Sequence, residues 1–509
     1  MRSLSPSFSE YRWAPSTEEI ARRYELDPLQ VVRFDGNVPA QPARFVRPGA
    51  IAGALAEVNA YAHGGFPELV DGIARYAGVA PENVALGAGA DDLILLCART
   101  FAGPGDVVAI ANEPTYPLYR IGAQLAGAEI GSADPVVTFC CRPNNPTGEV
   151  GELPDARPLV VDEAYFEYSG ETAAGLIEDG VVVIRTFSKS FGLAGARVGY
   201  ALADADTAAE LNRRQAPQPI SGISAELALV GLSDPPDVGW QVEERERCAR
   251  ALVALGLAPL PSATNFLFVR LDDPESVGNS LLRAGIVVRI YVDGIRFSVR
   301  DREDDDLLLR ALARALDRPA PVAEAAGRSV RHLRATAETR MRVRLGLDGA
   351  SRVVVRTGTG LYDHLLEQLA FHAGFDLVLD GVGDLETGEH HTAEDAALAL
   401  GEALDRALGD RRGIARYGDA VVPMDDALAR AAVDLGGRPA AELRLGRDPG
   451  LAEHMLRSLS QAGRLAINVE ADGRDDHHVA EAAFKAVGRA LRAAVRVESS
   501  GLPSTKGLV

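Results

Sequence analysis

Two stretches of this chain place paired histidines about one helical turn before a glutamate. His390 and His391 precede Glu394 in EHHTAEDAALALGEALDRAL, and His477 and His478 precede Glu481 in DHHVAEAAFKAVGRALRAAV. On a helix, positions i, i+3 and i+4 share a face, so each glutamate is expected to project with both of its histidines. Imidazole and carboxylate together suit a divalent transition metal. One such run alone more often marks a solvated face. Two copies, at 390 and 477, joined by His364 in YDHLLEQLAFH and His454 in AEHMLRSL, supply eight ligands. Eight ligands make two four-residue sets, and two cations leave room for a substrate between them. Of nine histidines only His63 lies before residue 331, so the two parts of the chain carry different chemistry.

In the first part the reactive groups interrupt short apolar runs. PLVVDEAY delivers Asp162 and Tyr165, and VVVIRTFSK delivers Ser188 and Lys189. VALGAGADD puts glycines ahead of a helix start, where free N–H groups and the helix dipole can hold a phosphate. Taken singly, each is an ordinary cap, surface pair or turn. The elements around them give them a place. DVVAIA, PLVVDEAY and VVVIRTFSK alternate with helical patterns, which predicts a mostly parallel sheet covered on both faces. Ligands gather beyond the carboxyl ends of such strands. LLLRALARALD (307–317) reads as an amphipathic helix, and the Pro/Ala-rich RPAPVAEAAG after it has no periodicity. RHLRATAETRMRVRLGLDG alternates like a strand pair ending in Asp-Gly. The histidine-bearing echo predicts a duplicated strand-and-helix unit. The expected division is 1–317, a linker over 318–330, and 331–509.

The 509 residues are enough for about three domains or lobes. A net charge of −19 argues against nucleic acid, which calls for a clustered basic surface. No segment approaches the ~20 uncharged apolar residues of a membrane span, and MRSLSPSFSEYRWAPSTEE lacks the apolar run of a secretory signal. Cys97, Cys140, Cys141 and Cys248 form no disulfide framework and suit a reducing cytoplasm.

EPTYPLY, PNNPTG, VVDEAYFEY and RTFSKSFGLAGARVGY, in that order, resemble the fold-type I, pyridoxal-phosphate-dependent aminotransferases, within them the histidinol-phosphate branch, over roughly residues 30 to 316. The resemblance implies an α/β fold with large and small lobes, pyridoxal phosphate (PLP) as cofactor, and a dimer. It implies Lys189 as the lysine that bonds the cofactor and moves the proton, and Asp162 as the anion against the pyridine nitrogen. Tyr165 and Asn145 would bond the ring oxygen and Tyr116 would stack on the ring. The backbone of Ala90 and Asp91, with Ser188 and Arg197, would hold the cofactor phosphate, and Tyr61 would reach across from a partner subunit. Arg296 in GIRFSV would grip the substrate carboxylate, a task for a planar fork. GNVPAQP (36–42) departs from the family's Asn-Glu-Asn-Pro and leaves Asn37 as the nearest match.

From 331 to 509 the chain resembles imidazoleglycerol-phosphate dehydratase, on ATAET, YDHLLEQLAFHAGFDL, GDLETGEHHTAEDAALALGEAL, GIARYG, VPMDDAL, DLGGRP, DDHHVAEAAFKA and LPSTKG. The implied fold is an α+β duplicated unit. One manganese would take His364, His391, His477 and Glu481; the other would take His390, Glu394, His454 and His478. The family's sites form between subunits, implying a particle of 24. His372, Arg416, Arg438, Ser504, Thr505 and Lys506 would bind substrate, the arginines and the last three residues at its phosphate. Glu338 and Glu394 are the candidates for proton transfer. ETGE before His390 departs from the family's Asp-rich version, which bears on what orients the histidines.

The ketone that such a dehydratase releases, imidazole acetol phosphate, is what histidinol-phosphate aminotransferase consumes. The expectation is therefore a bifunctional enzyme of small-molecule substrates. Rival expectations are a PLP half with aromatic or threonine-phosphate specificity, a PLP-sensing regulator, for which no helix-turn-helix segment or basic patch is found, and one half as a non-catalytic scaffold.

Overall fold

A computed structural model of the chain describes residues 8, 14–40, 43, 46, 51–62, 64–322, 328–349 and 351–498. The chain divides into two compact units, Met1–Ala323 and Glu324–Val509.

The first unit is built on a seven-stranded sheet. In chain order its strands are β1 (Val84–Gly87), β2 (Val107–Ile110), β3 (Glu129–Ile130), β4 (Val137–Cys141), β5 (Leu159–Asp162), β6 (Val181–Thr186) and β7 (Gly199–Leu202). Their order across the sheet is β1-β7-β6-β5-β4-β2-β3, parallel except for β7, which runs antiparallel to both its neighbours. Period-two alternation sends Ala85, Phe139, Cys141, Val160, Val182 and Ile184 to one core. Val84, Leu86, Cys140, Leu159, Val161 and Val183 go to the other. Two apolar layers explain why these strands read as continuous hydrophobic runs. The same alternation puts the adjacent Cys140 and Cys141 on opposite faces, and all four cysteines are free and buried.

Two helices of this unit matter for the site: α1 (Ala90–Phe101) and α2 (Leu118–Ala126). A smaller lobe carries β8 (Phe266–Arg270), β9 (Arg289–Tyr291) and β10 (Gly294–Ser298), in the antiparallel order β9-β10-β8. Helix α3 (Arg302–Ala315) starts earlier than the leucine spacing alone indicates. Its start is set by Asp301, whose side chain accepts the Asp304 N–H, and by Glu303, Asp304 and Asp305 in the first turn, where carboxylates favour the dipole. Residues 318–322 continue without regular structure, and 323–327 of the expected linker lie outside the described residues.

The second unit is a duplication that the backbone makes explicit. Its first half runs β11 (Ser329–Ala335), β12 (Arg340–Gly346), β13 (Val353–Arg356), α4 (Leu361–Ala373), β14 (Asp376–Val382) and α5 (His390–Leu408). Its second half runs β15 (Tyr417–Met424), β16 (Ala427–Asp434), β17 (Ala440–Leu445), α6 (Ala452–Gly463), β18 (Ala466–Asp472) and α7 (Asp476–Ala494). The sheets have equivalent orders, β11-β12-β14-β13 and β15-β16-β18-β17, each with one parallel pair at the same place. Each sheet buries one face: Met341, Val343 and Leu345 point inward while Arg340 and Arg342 are exposed. A single core gathers residues of both sheets and all four helices.

Helix pairing crosses the duplication. Helix α4 packs on α7, and α5 packs on α6. Glycine permits both close approaches. A Cβ at Gly488 of α7 would lie 2.4 Å from the Leu369 carbonyl oxygen of α4, and one at Gly401 of α5 would lie 2.8 Å from the Leu459 carbonyl oxygen of α6.

Candidate functional sites

In the first unit, β5 ends on Asp162, and Ser188 and Lys189 follow two and three residues after the end of β6, so the carboxyl edge of the parallel sheet delivers them together. Asp162 is buried. Its Oδ2 accepts the Tyr119 hydroxyl at 2.7 Å and its Oδ1 the Ala164 N–H at 3.0 Å. Burial pushes the carboxyl up to about 6, against these two donors, which favour the charged form. The Lys189 amine lies 3.3 Å from the Gly36 carbonyl oxygen. Burial, and after it the Arg296 charge, bring this amine down to about 8.

The α1 start is shaped to hold an anion. Gly89, at φ 85°, enters the helix without a side-chain cap, so the first-turn amides of Ala90 and Asp91 stay available. Arg197 lies over this turn, 3.1 Å from Asp91, and a Cβ at Gly89 would come within 2.7 Å of its guanidinium. Ser188 is buried beside Thr186, 2.9 Å between hydroxyls. A glycine cradle under an arginine, beside an amine and a buried carboxylate, fits a phosphorylated aldehyde with a basic ring nitrogen, which is the chemistry of PLP.

The remaining expected residues are placed as follows. Tyr116 donates to Asp91 at 2.9 Å. The Tyr165 hydroxyl accepts from Asn37 Nδ2 at 2.9 Å, and Asn37 is buried, so this residue of the divergent GNVPAQP segment belongs to the site. Asn145 accepts from Arg296, whose other terminal nitrogen donates to the Asp35 carbonyl at 2.9 Å. Arg296 Nε is buried without a hydrogen-bond partner among the described residues, as a group that awaits a carboxylate would be. Tyr61 is 80% exposed.

In the second unit the eight expected ligands fall into two trios and two singles. Glu481 Oε1 meets His364 Nε2 at 3.1 Å and His477 Nε2 at 2.9 Å. Glu394 meets His390 Nε2 at 3.6 Å and His454 Nε2 at 3.3 Å, with the two rings 4.8 Å apart between centroids. Each trio joins a helix of the first half to a helix of the second. Two expectations need correction. His391 does not turn to Glu394: its Nδ1 faces Asp384 at 3.0 Å and Glu338 at 3.6 Å. His478 does not join Glu481: its Nδ1 meets Asp426 at 2.7 Å. Neighbouring residues on a helix diverge by about 100°, so the two histidines of each pair flank the glutamate's direction on opposite sides and meet different partners. The hydrogen bonds to Asp384 and Asp426 raise the pKa of the two outlying imidazoles. These bonds occupy Nδ1 and leave Nε2 as the nitrogen that could ligate a cation.

Donor type and geometry fit a divalent cation. His454 Nε2 is buried with no hydrogen-bond partner among the described residues and faces the Glu394 carboxylate at 3.3 Å, and ligand atoms of His390, Glu394 and His454 lie within 4.8 Å of one another. Asp384 also answers the question raised by ETGE, because it supports His391 from four residues before Gly388. Sequence reasoning missed Asp384, Asp426, Tyr119 and Lys485. Lys485 was findable by spacing, four residues after Glu481, and its amine sits 2.7 Å from Glu481 Oε2. Burial raises the Glu481 carboxyl, but Lys485 and His364 outweigh it and hold the carboxyl below its usual range.

Among the substrate candidates, Arg416 pairs with both oxygens of Asp434, at 2.7 and 3.1 Å, and Arg438 is exposed. His372 ends α4, its pKa lowered by burial and then by Lys485 and Arg489. Ser504, Thr505 and Lys506 lie outside the described residues. No helix among the described residues is long and apolar enough to cross a membrane.

Residues 32–312 match the family Aminotransferase class I and II, and residues 357–491 match Imidazoleglycerol-phosphate dehydratase. The imidazoleglycerol-phosphate dehydratase of Salinispora tropica is 47% identical over 202 residues, covering 35% of this chain and 98% of that protein. That of Methanothermobacter thermautotrophicus is 48% identical over 182 residues, covering 34% and 94%. The crystal structure of histidinol-phosphate aminotransferase from Sinorhizobium meliloti in complex with pyridoxal-5'-phosphate is similar with a TM-score of 0.53 and 26% identity, over 61% of this chain and 99% of that one.

Proposed function

We propose specific site chemistry for a chain that belongs to two families, the class I and II aminotransferases and the imidazoleglycerol-phosphate dehydratases. The chain is a bifunctional enzyme of histidine biosynthesis. Its second half dehydrates imidazole glycerol phosphate to imidazole acetol phosphate. Its first half exchanges that ketone and glutamate for histidinol phosphate and 2-oxoglutarate.

In the aminotransferase half, PLP supplies an electron sink beside the substrate's α-carbon. The Lys189 amine holds the cofactor and, with its pKa brought down to about 8, accepts and returns a proton near neutral pH. Asp162 balances the charge on the ring nitrogen. Tyr165, Asn37 and Asn145 order the polar side of the pocket, and Tyr116 packs on the ring. Ser188, Arg197 and the Ala90–Asp91 amides hold the phosphate. Arg296 takes the substrate carboxylate, and Tyr61 of a second copy completes the cradle.

In the dehydratase half, two manganese ions act as Lewis acids and as a template for the imidazole ring. His364, His477 and Glu481 form most of one set, and His390, Glu394 and His454 most of the other. His391 and His478, held apart in a single chain, complete those sets on neighbouring copies, which supports a large homo-oligomer, the 24-subunit particle. Glu338, 3.6 Å from His391, and Glu394 are placed to move protons. Arg416, Arg438, Ser504, Thr505 and Lys506 bind the substrate phosphate, and His372 also contacts the substrate. The four buried free thiols suit the cytoplasm.

The observation that carries the reading is the pairing of two His/His/Glu trios across a duplicated unit with a lysine–aspartate–arginine site in the same chain. The test is direct. The whole purified chain, given imidazole glycerol phosphate and glutamate, produces histidinol phosphate; chelator stops the first step and Lys189→Ala stops the second, so that imidazole acetol phosphate accumulates. Histidinol phosphate formed in full by the Lys189→Ala chain would sink the reading.

A further inference from the structure

The environment of Asp162 contains a group that neither family resemblance nor the sequence singled out. Tyr119 stands on the first turn of α2, three residues after Tyr116 in PTYPLY, and is completely buried. Its ring stacks on Phe139 of β4 at 5.6 Å and meets Tyr116 edge-on at 6.0 Å, so the ring has one seat. From that seat the hydroxyl reaches Asp162 Oδ2 at 2.7 Å, while Oδ1 is taken by the Ala164 N–H. The two tyrosines of one motif thus serve two carboxylates: Tyr116 donates to Asp91 at the phosphate cradle and Tyr119 to Asp162 at the sheet edge.

We propose that Tyr119 is a positioning residue of the aminotransferase half, its buried hydroxyl holding Asp162 ionised and in place for the protonated ring nitrogen of PLP. This rests on the role given to Asp162 above. The groups that face Asp162 are few. Asp91 on α1 opposes its charge, Lys189 after β6 favours it, and Tyr119 favours it more than either. Cys140 and Cys141 on the neighbouring strand and Tyr165 after β5 are all raised by burial and are neutral near pH 7. Burial is the largest influence and drives the carboxyl toward protonation, and the short, charge-assisted Tyr119 bond is the largest influence that opposes it.

The experiment strips PLP from the full-length chain and titrates it back between pH 5 and 9, with no amino substrate, following cofactor fluorescence. The acid-side fall in PLP affinity reads the ionisation of Asp162 in the cofactor-free chain. Tyr119→Phe keeps the ring and removes the hydroxyl. It moves that midpoint up by about 1 to 2 pH units and lowers affinity at pH 7 by about two- to tenfold, with recovery at higher pH. Phe139→Leu disturbs the same packing but keeps the hydroxyl, and leaves the midpoint in place. Asp162→Asn abolishes the transition. A Tyr119→Phe midpoint equal to the parent's, with Asp162→Asn lacking the transition, overturns the role of Tyr119 alone. Persistence of the transition in Asp162→Asn overturns the role of Asp162 and this inference with it. An equal shift in Phe139→Leu assigns the effect to packing and overturns the hydroxyl's part.

Discussion

Replacing Gly488 by alanine separates two opposed effects of known size. In an exposed helix the change stabilises by about 1 kcal/mol through helix propensity. Here the new methyl would sit 2.4 Å from the Leu369 carbonyl oxygen, 3.1 Å from His372 Cβ and 3.2 Å from the Ala373 N, all on α4. Ordinary contact starts at 3.4 Å, so α4 must retreat by 3.4 − 2.4, or 1.0 Å. The obstacle is backbone, which cannot swing aside, and overpacking of this kind costs about 1–3 kcal/mol. The net effect is destabilising. The retreat also carries His364, on α4, away from Glu481, on α7, which it now meets at 3.1 Å. A shift of this size in a ligand set is expected to weaken manganese binding at that set by at least about tenfold. Gly401→Ala is the internal control, because its methyl needs a retreat of only 3.4 − 2.8, or 0.6 Å, between α5 and α6. Thermal melting and manganese titration of the chelator-stripped chain are the assays. Gly488→Ala should lose more of both than Gly401→Ala. A Gly488→Ala chain that melts above the parent and binds manganese with undiminished affinity refutes the argument.

Asp162 carries a pH-dependent penalty in the cofactor-free chain. Its pKa is raised from 3.8 to about 6, so the penalty is absent below about pH 4 and complete above about pH 6, where 6 − 3.8 units amount to roughly 3 kcal/mol. Asp162→Asn, which can donate to the Tyr119 oxygen and still accept the Ala164 N–H, should therefore raise the melting temperature of the cofactor-free first unit at pH 7.5 and not at pH 4. It should also remove most of the stabilisation that added PLP gives. With Lys189 brought down to about 8, the rate of PLP uptake followed by absorbance should climb through that pH and level off above it. Asp426→Asn leaves His478 without its carboxylate partner and should weaken manganese binding by about 10–100-fold, as measured by metal titration of the assembled protein.

Much of the site was legible because its chemistry depends on residue type at short spacing. Asp162, Lys189 and the glycines before α1 interrupt apolar runs, and apolar runs define the sheet. The His-His-x-x-Glu echo was visible because helical periodicity repeats with it. The failures have one cause, which is that side-chain partners come from other elements. His391 and Glu394 are neighbours in sequence, yet a hairpin turn and the loop before α5 supply the carboxylates that His391 meets. Tyr119 reads as an ordinary core aromatic until β5 brings Asp162 to its hydroxyl. Asn37 lay in a segment that departs from the family pattern, and only the arrival of Tyr165 from the large sheet shows its use. The duplicated topology itself was suggested by one repeated helix, but the matching strand orders required the pairing of sheets.

The two repeats depend on each other for their chemistry. Within the second unit, neither repeat contains a complete trio: the first brings His364 to one and His390 with Glu394 to the other, and the second supplies the complements. A polypeptide with a single repeat would have held fragments of both cation sites and a working copy of neither. It could have gained a pocket only by docking against its twin.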